Sequence, residues 1–304
     1  MADFSNDYRI TYGESTCTIS FRCFDTPNSV TLHGISSYDE EAERLLLEAR
    51  RLCLDLHHLW SFSLLGSDVS RINAAGAFER VFVDERTARL LRVMQEFNAQ
   101  EPAFDFTVGP VSYLWKHAQQ VPDADAIADA LSHVGAQKVQ VGDDYIVKED
   151  AAVKVDVGGA AKGFAADEIV GMLRAAGVIN ADVDLGGNLF MVGSHPKGRA
   201  WRVSVRIPEG VKADPIVAEV RDASVVTSGS YERFVEIDGM RYQHIIDARS
   251  GWPAKCDIVS ATVVCSSSLQ ADMLATTALL VGSEGLPALR ENHPECTFIT
   301  IPSE

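Results

Sequence analysis

From Ala181 to Cys265 the chain reads as one short β segment after another: ADVDLGGNLFMVG, AWRVSVRI, SVVTSG, YERFVEIDG, RYQHIID and IVSATVVC. Connections this short leave no room for the crossover that parallel neighbours require, so antiparallel pairing is expected. Residues 8–33 add two or three strands of a meander, with CTISFRCF alternating apolar and polar. Helical patterning lies elsewhere. Residues 38–60 open with an acidic turn that suits the helix dipole, and 84–99 align Leu91, Met94 and Phe97 on one face. Further helices are predicted near 110–119 and at 123–133, and strands around 137–147 and 153–157. Ala165, Ile169, Met172, Leu173 and Ala176 follow the helical period up to Gly177. SLQADMLATTALLVG reads as a helix, with another over 283–292 and a last strand at 296–301. SDVSRINAAG (67–76) reads as a polar connection of small residues, the kind of segment that carries function. There is no internal repeat. The expectation is an α+β fold of mostly antiparallel sheets and packed helices, one large domain over 1–304.

At 304 residues and 46% apolar content the chain can bury a large core. Its formal charge of −16 argues against nucleic acid and against an anionic membrane surface, both of which need a basic footprint. The start, MADFSNDYRITYGEST, shows no basic region followed by an apolar run, and no stretch is long enough to span a bilayer. Cysteines 17, 23, 53, 256, 265 and 296 form no CxxC and are read as reduced, buried thiols. A cytoplasmic protein is expected.

Five segments carry chemistry. In VDVGGAAKGFAADE (155–168) a β-branched run meets Gly158-Gly159, then Lys162 at the start of a helix. Amides at a helix N-terminus with a cation in the first turn favour an anion. Neither GxxxxGK[ST] nor GxGxxG is present, so this is a phosphate site of another kind or a tight turn with a surface lysine. DLGGNLF (184–190) repeats the double glycine with Asn188 as a donor, and reads equally as a β-bulge. SVVTSGSYERF places Thr227, Ser228 and Gly229 at a strand end. RYQHIIDARSGWP couples His244 to Asp247 before a turn at Ser250-Gly251, as a catalytic pair or as a structural histidine. In LQADMLATTALLVG, Asp272 and Thr276 stand four apart on an apolar helix and share a face. Such an Asp is costly unless paired or metal-bound, and two oxygens suit Mg²⁺.

Together these segments resemble the ApbE-type FAD:protein FMN transferases. Members take FMN from FAD and attach it through a phosphoester to a Thr or Ser of an acceptor flavoprotein. The resemblance runs in order from SDVSRINAAG through FDFTVGPVSYLW (104–115), VDVGGAAKGFAADE, DVDLGGNLFMVG, VVTSGSYERF and HIIDARSGWP to ADMLATTALLVG, within residues 67–282. Each motif alone is weak, and the ordered set is specific. It implies a T-fold-like domain, with N-terminal strands in 8–35 ahead of the motif-bearing core. It also implies FAD contacts at Asp156, Lys162, Asn188, Ser228 and Ile246, and at Ala103, Phe104 and Asp105. The Gly159 carbonyl, Asp272 and Thr276 would hold Mg²⁺, Lys162 would neutralise the pyrophosphate, and His244, oriented by Asp247, would be the base. The implied acceptor carries Asp-x-x-Thr/Ser-Gly-Ala-Thr/Ser, a motif this chain lacks.

The chain also departs from the family. Ala248 and Ser250 stand where Pro and Thr are usual, and Ser63 where an aromatic commonly stacks on the flavin. Tyr12 or Phe62 is expected to take over that stacking. Family members are mostly exported lipoproteins, a signal absent here. Two rival readings follow from the same residues: a Mg²⁺-dependent FAD pyrophosphatase giving FMN and AMP, and a non-catalytic FAD-binding protein. The Asp272/Thr276 pair argues against the pure binder.

Overall fold

The computed structural model describes residues 7–208, 210–211, 214–231, 234–254 and 257–303; residues 1–6 and Cys256 therefore lie outside the described residues. The meander is three strands, β1 (Tyr8–Tyr12), β2 (Thr16–Cys23) and β3 (Thr26–His33). Its β2 buries alternate residues Cys17, Ile19, Phe21 and Cys23, as the sequence alternation requires. The later strands are β4 (Arg80–Phe82), β5 (Val139–Val141), β6 (Tyr145–Lys148), β7 (Ala181–Leu185), β8 (Asn188–Val192), β9 (Trp201–Ser204) and β10 (Val217–Val220). They continue with β11 (Ala223–Gly229), β12 (Phe234–Ile237), β13 (Met240–Gln243), β14 (Ile258–Cys265) and β15 (Thr297–Pro302). One antiparallel sheet of eight strands dominates, in the order β1-β2-β3-β7-β8-β11-β14-β15.

The helices are α1 (Glu40–Trp60), α2 (Asp68–Ala74), α3 (Glu85–Gln100), α4 (Gly109–Lys116), α5 (Ala124–Ser132), α6 (Ala161–Ala175) and α7 (Ser268–Asn292). Across the large sheet α1 packs on β2, α6 on β7 and β8, and α7 on β11 and β14, with α1–α6 and α6–α7 touching. Alternation along β11 shows both faces in use. Val226 belongs to the main core, while Val225 joins Trp201, Val203, Ala218 and Val220 of the β9–β10 ladder. A separate small core of Val111, Trp115, Ile127, Ile237 and Ile246 lies under α4 and α5.

Three local readings change. Residues 67–76 are not a plain connection: Ser67 caps α2 by accepting from Ser70 N at 2.9 Å. Residues 153–157 join no ladder among the described residues beyond a single bridge of Lys154 to Val108. The two C-terminal helices are as expected: α7 is broken at Gly282, whose φ of 63° is not helical, into one helix up to that residue and a second over 283–292. The double glycine of DLGGNLF is the two-residue turn of the β7–β8 hairpin, with φ of 63° and 88° at Gly186 and Gly187. Two consecutive left-handed residues are what such a hairpin turn demands, so the bulge reading gives way to a turn.

Candidate active site

The site grows out of the segment 153–157, whose backbone must find partners without a sheet. Asn73 of α2 supplies them: its amide donates to Val155 O at 2.9 Å and accepts from Val155 N at 2.7 Å. Asp156 N donates to Phe106 O at 2.7 Å. Lys148, only 1% exposed, donates to the carbonyls of Ala151 (3.0 Å) and Val153 (2.9 Å). Burial, with Lys154 adding repulsion, pulls the Lys148 ammonium from its ordinary 10.5 down to about 8. Between these two values the unfolded chain holds more protons on this group than the folded one. Stability therefore rises with pH across that window, by on the order of 3 kcal/mol in total. Urea melts of Lys148→Met from pH 8 to 10 should lack that rise; an unchanged slope would assign it to another group.

The segment ends in the Gly158-Gly159 turn. Asp156 Oδ1 accepts from Gly158 N at 2.8 Å, closing the turn on itself. The cap of α6, Ala160, offers no side-chain oxygen, so the first-turn amides look elsewhere. Gly163 N donates to Asp272 Oδ2 at 3.0 Å, across the α6–α7 contact. A Cβ at Gly163 would lie 2.5 Å from Ser268 O, so only glycine lets the two helices approach this closely. Asp272 is 3% exposed, and its other oxygen lies 3.7 Å from Lys162 Nζ. An N–H and an ammonium thus compensate a charge that burial alone would make costly.

Thr276, one turn further along α7, brings its hydroxyl to 3.4 Å from Ser228 Oγ of β11. A Cβ built on Gly159 would lie 3.5 Å from Thr276 Oγ1 and 3.1 Å from the Phe104 ring, which places the turn against both. Carboxylate, hydroxyl and backbone carbonyl are hard oxygen donors, and Lys162 stands at the rim. That donor set fits Mg²⁺ shared with a phosphate. The sequence-predicted residues Asp156, Gly159, Lys162, Ser228, Asp272, Thr276 and Phe104 therefore come together, from segments more than a hundred residues apart.

The other candidates fall in several places. Asn188 is 1% exposed; its Oδ1 accepts from Ser268 Oγ at 2.5 Å, and its Nδ2 has no partner among the described residues. Asp105 binds its own chain, accepting from Thr107 N (2.8 Å), Thr107 Oγ1 (2.6 Å) and Ala136 N (3.2 Å). Ala103 and Phe104 are buried, with Phe104 edge-on to Phe97. Ile246 points into the small core. His244 is exposed, just ahead of the 247–251 turn. Asp247, expected to orient His244, accepts from Arg249 Nε at 2.9 Å and Nη2 at 3.1 Å, and Arg249 reaches on to Leu280 O at 3.2 Å.

Of the two stacking candidates, Phe62 is 40% exposed in the loop between α1 and α2. Tyr12 stands apart from the cluster. It pairs with Cys17, level in turn with Leu32, Ala181 and Val192. Met191 faces Ala223, so Val192 is level with Asp222, six residues before Ser228. That offset is about 20 Å along the strands, and Tyr12 lies five strands away as well. Its hydroxyl donates instead to Glu43 at 2.9 Å, at the start of α1.

Two residues escaped the sequence reading although they lie inside its motifs. Asn73 is the clamp just described. Asp167 anchors the start of α7, accepting from Ser268 N (2.8 Å), Leu269 N (3.0 Å) and Ser267 Oγ (2.8 Å). Burial pushes its carboxyl above the ordinary range despite those bonds. A polar residue spaced to reach a neighbouring element was their only signal.

Comparison with known proteins places this geometry. The model of the ApbE family matches residues 23–300. A FAD:protein FMN transferase of Treponema pallidum is 37% identical over 248 residues, covering 75% of this chain and 68% of the relative. One of Klebsiella pneumoniae is 33% identical over 266 residues, covering 84% and 75%. The structure of the flavin transferase ApbE from Vibrio cholerae superposes with a TM-score of 0.85 at 25% identity, over 97% of this chain and 95% of that one. The apo flavinyl transferase ApbE of Pseudomonas stutzeri gives 0.84 at 26%, over 100% and 94%. The expected α+β architecture is the one these structures share, and the chain belongs to the ApbE family.

Proposed function

We propose that this chain is a Mg²⁺-dependent FAD:protein FMN transferase, moving FMN from FAD to a Thr or Ser hydroxyl of an acceptor flavoprotein and releasing AMP. The observation that carries the reading is the meeting of Lys162, Asp272, Thr276 and the Gly159 turn at one point. Asp272, Thr276 and the Gly159 carbonyl would hold the cation, which when bound supplies positive charge against the pyrophosphate. Lys162 adds a second positive charge beside the same oxygens. His244 takes the proton from the acceptor hydroxyl as its oxygen attacks the phosphorus of the FMN half. The bond from that phosphorus to the bridging oxygen breaks, and AMP leaves with the oxygen. Phe62 is the candidate platform for the flavin ring. The single domain of 1–304 carries the whole reaction.

The partners are FAD and an acceptor bearing Asp-x-x-Thr/Ser-Gly-Ala-Thr/Ser. A reducing, cytoplasmic setting accords with five described cysteines that are all free and buried. Among the described residues no helix is long and apolar enough to cross a membrane. Intact-mass analysis after incubation with FAD, Mg²⁺ and a motif-bearing flavoprotein domain tests the reading. One FMN less one water should be added to the acceptor, with one AMP released, and nothing added when its Thr is replaced by Ala. Release of FMN and AMP with no label on any acceptor would favour the pyrophosphatase.

A further inference from the structure

We propose that Cys265, Cys296, Glu295 and His293 form a second metal site, for a thiophilic divalent cation of the zinc class, where β14 meets β15. The β14–β15 ladder runs to Val264↔Thr297, which sets the next residues, Cys265 and Cys296, opposite one another. Both thiols are buried, at 2% and 9% exposure. Their sulfurs and a Glu295 carboxylate oxygen all lie within 4.8 Å of one another. A tetrahedral zinc centre with Zn–S of about 2.3 Å spaces its sulfurs roughly 3.8 Å apart, so the cluster needs little contraction.

His293, next to that group of three, is the proposed fourth ligand. It is 5% exposed, and its Nδ1 is 3.8 Å from Glu295 Oε1. Its Nε2 is 3.1 Å from the carboxylate of Glu101, itself buried and held by Asn292 Nδ2 at 2.9 Å. A histidine that donates Nε2–H to a carboxylate keeps a lone pair on Nδ1, the arrangement that orients a ligating imidazole. The centre of the cluster holds the Gln270 side chain. Its amide nitrogen is 2.5 Å from Glu295 Oε1 and 3.5 Å from His293 Nδ1, and its oxygen accepts from Cys265 Sγ at 3.3 Å. Gln270 thus bonds Cys265, His293 and Glu295 in the metal-free protein; the two sulfurs and the Glu295 oxygen already converge, and His293 Nδ1, outside that group, closes in as the amide leaves. Gln270 hangs from the first turn of α7, so its flexible side chain can swing aside as two thiol protons leave.

Two sulfurs, an imidazole nitrogen and one carboxylate select zinc-class ions, whereas the all-oxygen set at Asp272 selects Mg²⁺. Gln270 and Asp272 are two residues apart on α7 and so project to different sides. The two sites are separable by experiment. Reduced, metal-free full-length protein titrated with Co²⁺ should develop thiolate-to-metal charge-transfer absorption and tetrahedral ligand-field bands, saturating at one equivalent and erased by Zn²⁺. Cys296→Ser and Glu295→Gln should abolish or sharply weaken this spectrum, and Asp272→Asn should leave it unchanged. Glu101→Gln should weaken Co²⁺ about 10- to 100-fold. Glu295 is half exposed, so its variant folds even if loss of a buried cysteine does not. Folded, reduced protein without thiolate charge transfer would overturn the proposal. So would a peptide map in which Cys265 and Cys296 form a disulfide and, once reduced, bind no metal.

Discussion

Asp272→Asn should lower FAD turnover by on the order of 10³-fold. Asparagine keeps the shape of the side chain and can still accept from Gly163 N, so the α6–α7 contact survives. What disappears is the negative charge 3.7 Å from Lys162, and with it the anionic oxygen proposed as a metal ligand next to Thr276. Charge stabilisation by a cation at a transferring phosphoryl group is worth several kcal/mol, and each 1.36 kcal/mol is tenfold in rate. FAD affinity should fall much less, because the substitution leaves the other proposed FAD contacts in place. AMP release measured against Mg²⁺ concentration checks this, with the wild type silenced by EDTA. Wild-type rates in the variant, or full activity in EDTA, would remove the metal from the mechanism.

His244→Ala should reduce transfer to the acceptor by about 10²- to 10⁴-fold while FAD binding is kept. His244 is exposed, so the loss is chemical and the fold should not suffer. Single-turnover labelling of the acceptor at saturating FAD separates the two quantities. Arg249 offers a control: Arg249→Ala removes the partner of Asp247 and the bond to Leu280 O, and so tests placement of the turn without touching the imidazole. Transfer at the wild-type rate by His244→Ala would return the histidine to a structural role.

Much of the architecture was legible because its signals are local. Alternation in CTISFRCF gave the buried face of β2, and the spacing of Asp272 and Thr276 gave a shared helix face. The failures are those where a partner far along the chain decides. Residues 153–157 look like a strand from their valines, but a single side chain, Asn73, takes the place of a neighbouring strand. Residues 67–76 look like a loop because Ser, Asp and Asn are poor helix formers. The helix exists because Ser67 caps it and Asp68 is fixed by Asp84 N at 2.8 Å and Thr87 Oγ1 at 2.7 Å. For the site, Tyr12 marks where local patterning stops being informative. Alternation says which face a strand residue takes, and nothing in it says which end of the sheet meets the glycine turn.

The first part of α7 is held at both ends by the motifs it serves. Asp167, from the helix carrying Lys162, accepts from the amides at its N-terminus, and Arg249, from the turn after His244, donates to Leu280 O just before the kink. Two motifs that are separate in sequence are thus fastened to one rod that carries a third, with charges of the favourable sign at each end. An arrangement fixed in advance spends no ordering entropy at the moment of reaction. On the proposed reaction that cost shifts to the acceptor, whose loop must give up its freedom to enter the site. A short, pliant recognition motif is then the economical substrate, and discrimination among acceptors resides in how readily each one's loop can be straightened.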